Sequence, residues 1–106
     1  MDVGNVFRGG ILAQLVPADA TLTDIYTVPA PGQIISFITA TNLTGAAVVV
    51  VIEVAPAGEA HATKHAICGA VVAANESHDH PMGAKLPAGA IIRVKGADDT
   101  AFTIWG

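Results

Sequence analysis

The stretch QIISFITATN, residues 33–42, decides the fold class because apolar and smaller or polar side chains alternate along it. Consecutive side chains of an extended strand point to opposite faces, so a period of two residues is typical of a β-strand. One face of this strand is predicted to carry Ile35, Phe37 and Thr39, and the other Ile34, Ser36 and Ile38.

Similar β-forming patterns lie on both sides of this strand. The turn signal at residues 42–45 leads into VVVVIEV, which is apolar on both faces as far as Glu53 and predicts a strand covered by neighbours. Ile and Val together number 22 against 5 Leu, and branching at Cβ favours strands over helix interiors. Eight strands are predicted, at residues 10–16, 21–28, 33–42, 46–55, 65–72, 77–85, 90–95 and 101–105.

Residues 59–75 are the ambiguous part of the pattern. Their many alanines suit a helix, whereas Gly69, Val71 and Val72 do not. Pro- and Gly-containing turns recur about every ten residues elsewhere, which favours two strands, at about 65–72 and 77–85, over a helix. The predicted fold is therefore all-β, an antiparallel β-sandwich or jelly roll of about eight short strands. Residues 10–106 would form this single domain, with residues 1–9 as a flexible or docking arm.

Length and charge exclude several function classes. A chain of 106 residues has room for one domain, and 5 basic against 9 acidic residues give a net charge of −4, which argues against nucleic acid as a partner. The longest apolar run is too short to cross a membrane, and the first residues lack the apolar region of a signal peptide. We therefore expect a soluble, unexported protein without a membrane partner. Because only 13% of residues are charged, part of the surface is expected to face other subunits.

Four histidines, at positions 61, 65, 78 and 80, suggest a metal site together with Glu59, Glu76 and Asp79. His78 and His80 would share one face of a strand, as in metal enzymes of the cupin type. The glutamate that the cupin pattern has about four residues later is absent from residues 81–85. His61 and His65 would supply further ligands only if residues 59–68 were helical or if the fold brought them near. The competing interpretation, solvated loop histidines around the Asn75 turn, is preferred. No metal and no cofactor are predicted, and a cupin-like metal-binding protein remains a remote alternative.

Cys68 is the only cysteine, so no disulfide can form within the chain. It lies in the apolar stretch AICG, where a small buried thiol is the ordinary interpretation. The sequence contains no nucleophile-elbow motif and no phosphate-binding glycine loop. We therefore expect a protein that is not an enzyme, with no catalytic residue.

Several segments resemble small β-sandwich structural proteins from the virions of tailed bacteriophages. They are TDIYTVPA at residues 23–30, VAPAG at 54–58 followed by KH at 64–65, LPAGAIIRV at 86–94, and FTIWG at 102–106. The likeness extends from Thr21 to the last residue, and it departs from the group's pattern where Pro31 precedes Gly32. It implies an antiparallel β-sandwich on the phage particle, commonly a symmetric oligomer, with strand and loop at residues 59–75. It transfers no catalytic residue.

The expected function is that of a capsid decoration or cement protein, made in the host cytoplasm and located in the virion. Its expected partners are copies of itself and the major capsid or other virion proteins. The alternative is a tail or fibre component that binds a receptor or carbohydrate, for which exposed aromatic rings would be needed. The candidate interface residues are Val3, Val6, Phe7 and Arg8 in the arm, and Tyr26 and Trp105 in the domain.

Overall fold

The computed structural model describes residues 10–17 and 21–106. Its regular structure consists of eight β-strands and one short 3-10 turn, Thr63–His65, between the fourth and fifth strands. No helix in the described ranges has the length and apolarity to cross a membrane. The strands are β1 (Ile11–Leu15), β2 (Thr23–Thr27), β3 (Gln33–Asn42), β4 (Val48–Ala55), β5 (Ala66–Val72), β6 (Ser77–Leu86), β7 (Ile91–Lys95) and β8 (Thr100–Trp105).

The strands form two antiparallel four-stranded sheets. Sheet A has the order β1-β8-β3-β6, and sheet B has the order β2-β7-β4-β5. This is the eight-stranded order of a jelly roll, so the predicted all-β sandwich is confirmed. The helical alternative for residues 59–75 is wrong, because that stretch holds β5 and loop, and its only helical element is the three-residue 3-10 turn before β5.

The core lies between the two sheets and consists of the inward side chains of their central strands. Side chains from β3, β4, β7 and β8 meet there without solvent contact. Full burial of each large aliphatic or aromatic side chain contributes about 1.5–3 kcal/mol, which explains why branched apolar residues dominate these strands. The largest members are Ile35, Ile38, Ile52, Ile92, Ile104 and Phe102.

The predicted faces of β3 are wrong in one respect. Ile35 and Ile38 are both fully buried, whereas Phe37 faces outward and stacks on Trp105 with ring centroids 5.5 Å apart. The register between β3 and β6 shifts between Ile35 and Phe37, and regular alternation is interrupted there. Such an irregularity depends on the partner strand, so the period of β3 alone does not reveal it.

Strands β5 and β6 are the neighbouring edges on one side of the sandwich. The turn between them, in which Asn75 has φ 59°, carries the chain from sheet B to sheet A. The two edge strands belong to different sheets, and they therefore face each other across the layers. This arrangement opens a seam between β5 and β6 whose inward side chains, apart from the buried Val72, are only half-buried.

Candidate metal centre at the seam between β5 and β6

Three ligand-type side chains point into this seam. Cys68 pairs with Ile52 on β4, and residues directly opposite each other in antiparallel strands share a face. His78 and His80 pair in the same way with Ala40 and Ile38 on β3. All three β3 and β4 partners are fully buried, so the thiol and both imidazoles face the space between the sheets.

The three side chains form what we call the Cys68–His78–His80 cluster. The Sγ atom of Cys68 lies 3.7 Å from Nε2 of His78, within hydrogen-bond range for sulfur. One ligand atom from each residue lies within 4.8 Å of the other two, and each residue is of intermediate burial. Burial raises the pKa of the Cys68 thiol above its ordinary value, because a thiolate would lose hydration there.

The other two histidines have separate partners. Nδ1 of His61 lies 2.8 Å from Oε1 of Glu53, and Nε2 of His65 lies 3.1 Å from Oε1 of Glu59. The interpretation as solvated loop histidines fits His61, which is about half exposed, but is wrong for the buried His65. It is also wrong for His78 and His80, which are half-buried strand residues.

The acidic residues predicted as possible ligands lie elsewhere. The carboxylate of Asp79 accepts a hydrogen bond from Thr39 Oγ1 at 2.9 Å, on the outer face of sheet A. Glu76 lies in the turn before β6 and is exposed. Glu59 accompanies His65, as described above. Among the described residues, no carboxylate belongs to the Cys68–His78–His80 cluster, which therefore offers only sulfur and nitrogen ligand atoms.

A second polar group covers the outer face of sheet B. The guanidinium of Arg93 donates from Nε to Asp24 Oδ1 and from Nη2 to the carbonyl of Glu59, each at 2.8 Å. Glu53, which is 3% exposed, pairs with Arg93 in the register of β4 and β7. The loop between β4 and β5 is thereby held against the sheet. Arg93 Nη1 and His65 Nδ1 are buried there without a hydrogen-bond partner among the described residues.

An exposed apolar surface lies on the two neighbouring strands β4 and β5. Val49 on β4 and Val71 on β5 are directly opposite each other, and they are 63% and 69% exposed. Ile67, near the start of β5, is 39% exposed. We call these three residues the valine patch. Two large apolar side chains in contact on a sheet surface present more connected apolar area than isolated ones do.

The predicted interface residues within the domain are partly covered by the protein itself. Tyr26 packs against the hydrophobic core. Trp105 is of intermediate burial, stacks on Phe37 and donates from Nε1 to Thr39 Oγ1 at 3.0 Å. The four arm residues, Val3, Val6, Phe7 and Arg8, lie outside the described residues.

No protein-family model, curated protein or solved structure matches this chain. The similarity to phage virion proteins therefore stays a prediction from the quoted sequence motifs.

The sequence predicted one part of the cluster and missed another. The shared face of His78 and His80 follows from alternation and is confirmed. The position of Cys68 beside these histidines was missed, because its neighbours in sequence are apolar and its contact with β6 joins two different sheets. The available signal was that alternation places Cys68 on the same face as the buried Val72.

Proposed function

We propose that this chain is a non-enzymatic structural protein of a phage virion, a capsid decoration protein that assembles as a symmetric oligomer through β5. The virion assignment rests on the sequence motifs quoted above. The proposal of self-association rests on one observation, the exposed cross-strand pair of Val49 and Val71.

The valine patch favours association because no charged side chain of β5 lies around it. The strand sequence AICGAVV contains no ionisable side chain other than the inward Cys68. Burial of apolar surface yields about 25 cal/mol per Å², so covering two valines that are each more than 60% exposed is favourable. A surface of this kind is expected to be covered in the functional assembly.

The edge strands β5 and β6 differ in how well they resist pairing with a strand of another molecule. Edge strands commonly avoid self-association through proline, charge or bulges. Strand β6 contains Pro81, Lys85 and a register shift near Gly83, whose φ is 59°. Strand β5 contains neither proline nor a charged residue, although its register is irregular near Ile67. The β5 edge is therefore the more suitable edge for adding a strand.

A second copy of this chain is the occupant that fits the β5 edge. Two copies of one strand related by a two-fold axis pair in antiparallel fashion, and an uncharged apolar strip is complementary to itself. A partner protein that binds through charged side chains would find no oppositely charged residue on β5. The carbohydrate-binding alternative is weaker, because Phe37 covers one face of the Trp105 ring and Tyr26 packs against the core.

Light scattering over a range of protein concentrations tests the assembly. We expect the natural chain to form an oligomer. For Val71→Lys we expect a dissociation constant at least about tenfold higher, because the lysine would place a charge in the apolar contact. Ile34→Lys is the matched control, since Ile34 is 56% exposed on sheet A and outside the patch. A monomeric natural chain, or equal effects of both substitutions, would contradict the proposal.

The virion assignment has a separate test. Antiserum raised against the purified protein is expected to detect it in purified phage particles, and cryo-electron microscopy is expected to show added density on the capsid surface. Presence of the protein only in the host lysate, with none in the particles, would contradict the assignment while leaving self-association intact.

A further inference from the structure

We propose that Cys68, His78 and His80 bind a thiophilic transition-metal ion of the Zn²⁺ or Cu⁺ class. This goes beyond the proposed structural role and does not depend on it. The three residues supply one sulfur and two nitrogen atoms within 4.8 Å of one another.

The distances are close to those of a metal site. Two atoms bound to one tetrahedral Zn²⁺ lie about 3.3–3.6 Å apart, given Zn–N of about 2.0–2.1 Å and Zn–S of about 2.3 Å. The Cys68 Sγ to His78 Nε2 separation is 3.7 Å, so this pair is already almost at the required spacing. The largest separation in the cluster, at most 4.8 Å, requires a movement of about 1 Å.

The types of ligand atom select the class of ion. Thiolate and imidazole suit Zn²⁺ and copper, whereas Ca²⁺ and Mg²⁺ require oxygen ligands. The nearest sequence carboxylate, Asp79, lies between the two histidines but points to the other face of β6 and accepts a hydrogen bond from Thr39. The described side chains therefore offer a hard cation no acidic ligand at this position.

The position of the cluster is also suited to binding. Its residues are half-buried, so an ion can enter from the seam while the sheets limit the water around it. Three protein ligands leave a fourth position of a tetrahedral ion for water or another ligand. One ion would connect β5 of sheet B to β6 of sheet A, across an edge where no backbone ladder joins the sheets.

Zn²⁺ titration of the reduced, chelator-treated full chain tests the proposal. We expect one equivalent to bind, with displacement of a chromogenic chelator as the readout. Cys68→Ser, His78→Gln and His80→Gln should each weaken binding at least about tenfold, since each removes one of three ligands. His61→Gln is the matched control, because it removes a histidine outside the cluster and should leave the affinity unchanged.

Co²⁺ gives a spectroscopic signature that incidental histidine binding would not produce. Thiolate coordination is expected to give a near-ultraviolet charge-transfer band, which Cys68→Ser should abolish and His61→Gln should retain. Circular dichroism of each variant would establish that its β-structure is intact. Failure to bind Zn²⁺ and Cu⁺, or binding that survives in both folded Cys68→Ser and His78→Gln, would overturn the proposal.

A parallel set of binding measurements with Cu⁺ distinguishes the two ions. Under anaerobic reducing conditions, competition with a Cu⁺-specific chelator measures the second affinity on the same variants. Loss of Cu⁺ binding with Cys68→Ser, together with weak Zn²⁺ binding to the natural chain, would assign the site to Cu⁺. The reverse pattern would assign it to Zn²⁺, and either result supports the cluster as the binding site.

Discussion

The side chain of Asn42, at the end of β3 in sheet A, donates a hydrogen bond of 3.1 Å to the carbonyl of Val72, at the end of β5 in sheet B. Its Nδ2 also donates to the carbonyl of Ala46 at 2.7 Å, and its Oδ1 accepts from the backbone N–H and hydroxyl of Thr44. Asn42 is fully buried. One amide thus fixes the β3–β4 turn and joins the two sheets.

We expect Asn42→Ala to lower the free energy of unfolding by about 2–4 kcal/mol, because several buried backbone groups would lose their partner at once. Urea denaturation measures the loss. Gln33→Ala is the matched control, since the exposed Gln33 amide donates to the carbonyl of the adjacent Ile34, and a change within about 0.5 kcal/mol is expected. Equal losses for both variants would show that Asn42 does not hold the sheets together.

The indole of Trp105 makes two separable interactions, a stack on Phe37 and a hydrogen bond to Thr39 Oγ1. Trp105→Phe retains an aromatic ring but removes the donor, so we expect a loss of about 0.5–1.5 kcal/mol. A double-mutant cycle with Thr39→Val, followed by denaturant unfolding, isolates the hydrogen bond. Additive losses in the cycle would mean that the two side chains do not interact energetically.

Arg93 uses two different nitrogens of its guanidinium, Nε for Asp24 and Nη2 for the Glu59 carbonyl. A lysine ammonium lacks this planar fork, so Arg93→Lys should cost about 1–3 kcal/mol and release the β4–β5 loop. Limited trypsin digestion should then cleave faster after Lys64, which lies in the 3-10 turn. Lys95→Gln is the control, because Lys95 is exposed on the same strand and should not affect cleavage at Lys64. Unchanged cleavage in Arg93→Lys would contradict this role.

The raised pKa of Cys68 predicts slow alkylation of the metal-free folded protein. Only the thiolate reacts, and burial favours the thiol, so the rise in rate with pH should occur at higher pH than for the same chain unfolded in urea. Mass spectrometry after iodoacetamide treatment at a series of pH values measures both rates. A folded protein that reacts at lower pH than the unfolded chain would show that desolvation does not dominate the environment of the thiol.

Metal removal should lower thermal stability. A ligand that binds only the folded state at 100 times its Kd contributes about 2.7 kcal/mol, which for a domain of this size raises Tm by roughly 10 °C. Differential scanning calorimetry with added Zn²⁺ and with excess chelator measures the difference. His78→Gln should show almost no response to Zn²⁺, whereas His61→Gln should respond like the natural chain.

The sequence predicted the strands well and the site incompletely, for a physical reason. Strand bounds follow from local alternation and turn residues, and β5 and β6 were predicted to within about one residue at each end. The seam instead depends on which edges of two sheets become neighbours. The sequence separation of ten residues between Cys68 and His78 does not determine which edges become neighbours. The outward Phe37 was missed because alternation in β3 is interrupted beside β6.

The opposite faces of β5 have a consequence for insertions and deletions. Cys68 points inward and Val71 outward, and both orientations depend on the same count of residues along one strand. Adding or removing a single residue between Cys68 and Val71 would place both side chains on the same face, so one of them would lose its present environment. A two-residue change within the same segment would keep them on opposite faces, whereas length changes in the loop before β5 leave both directions unaltered.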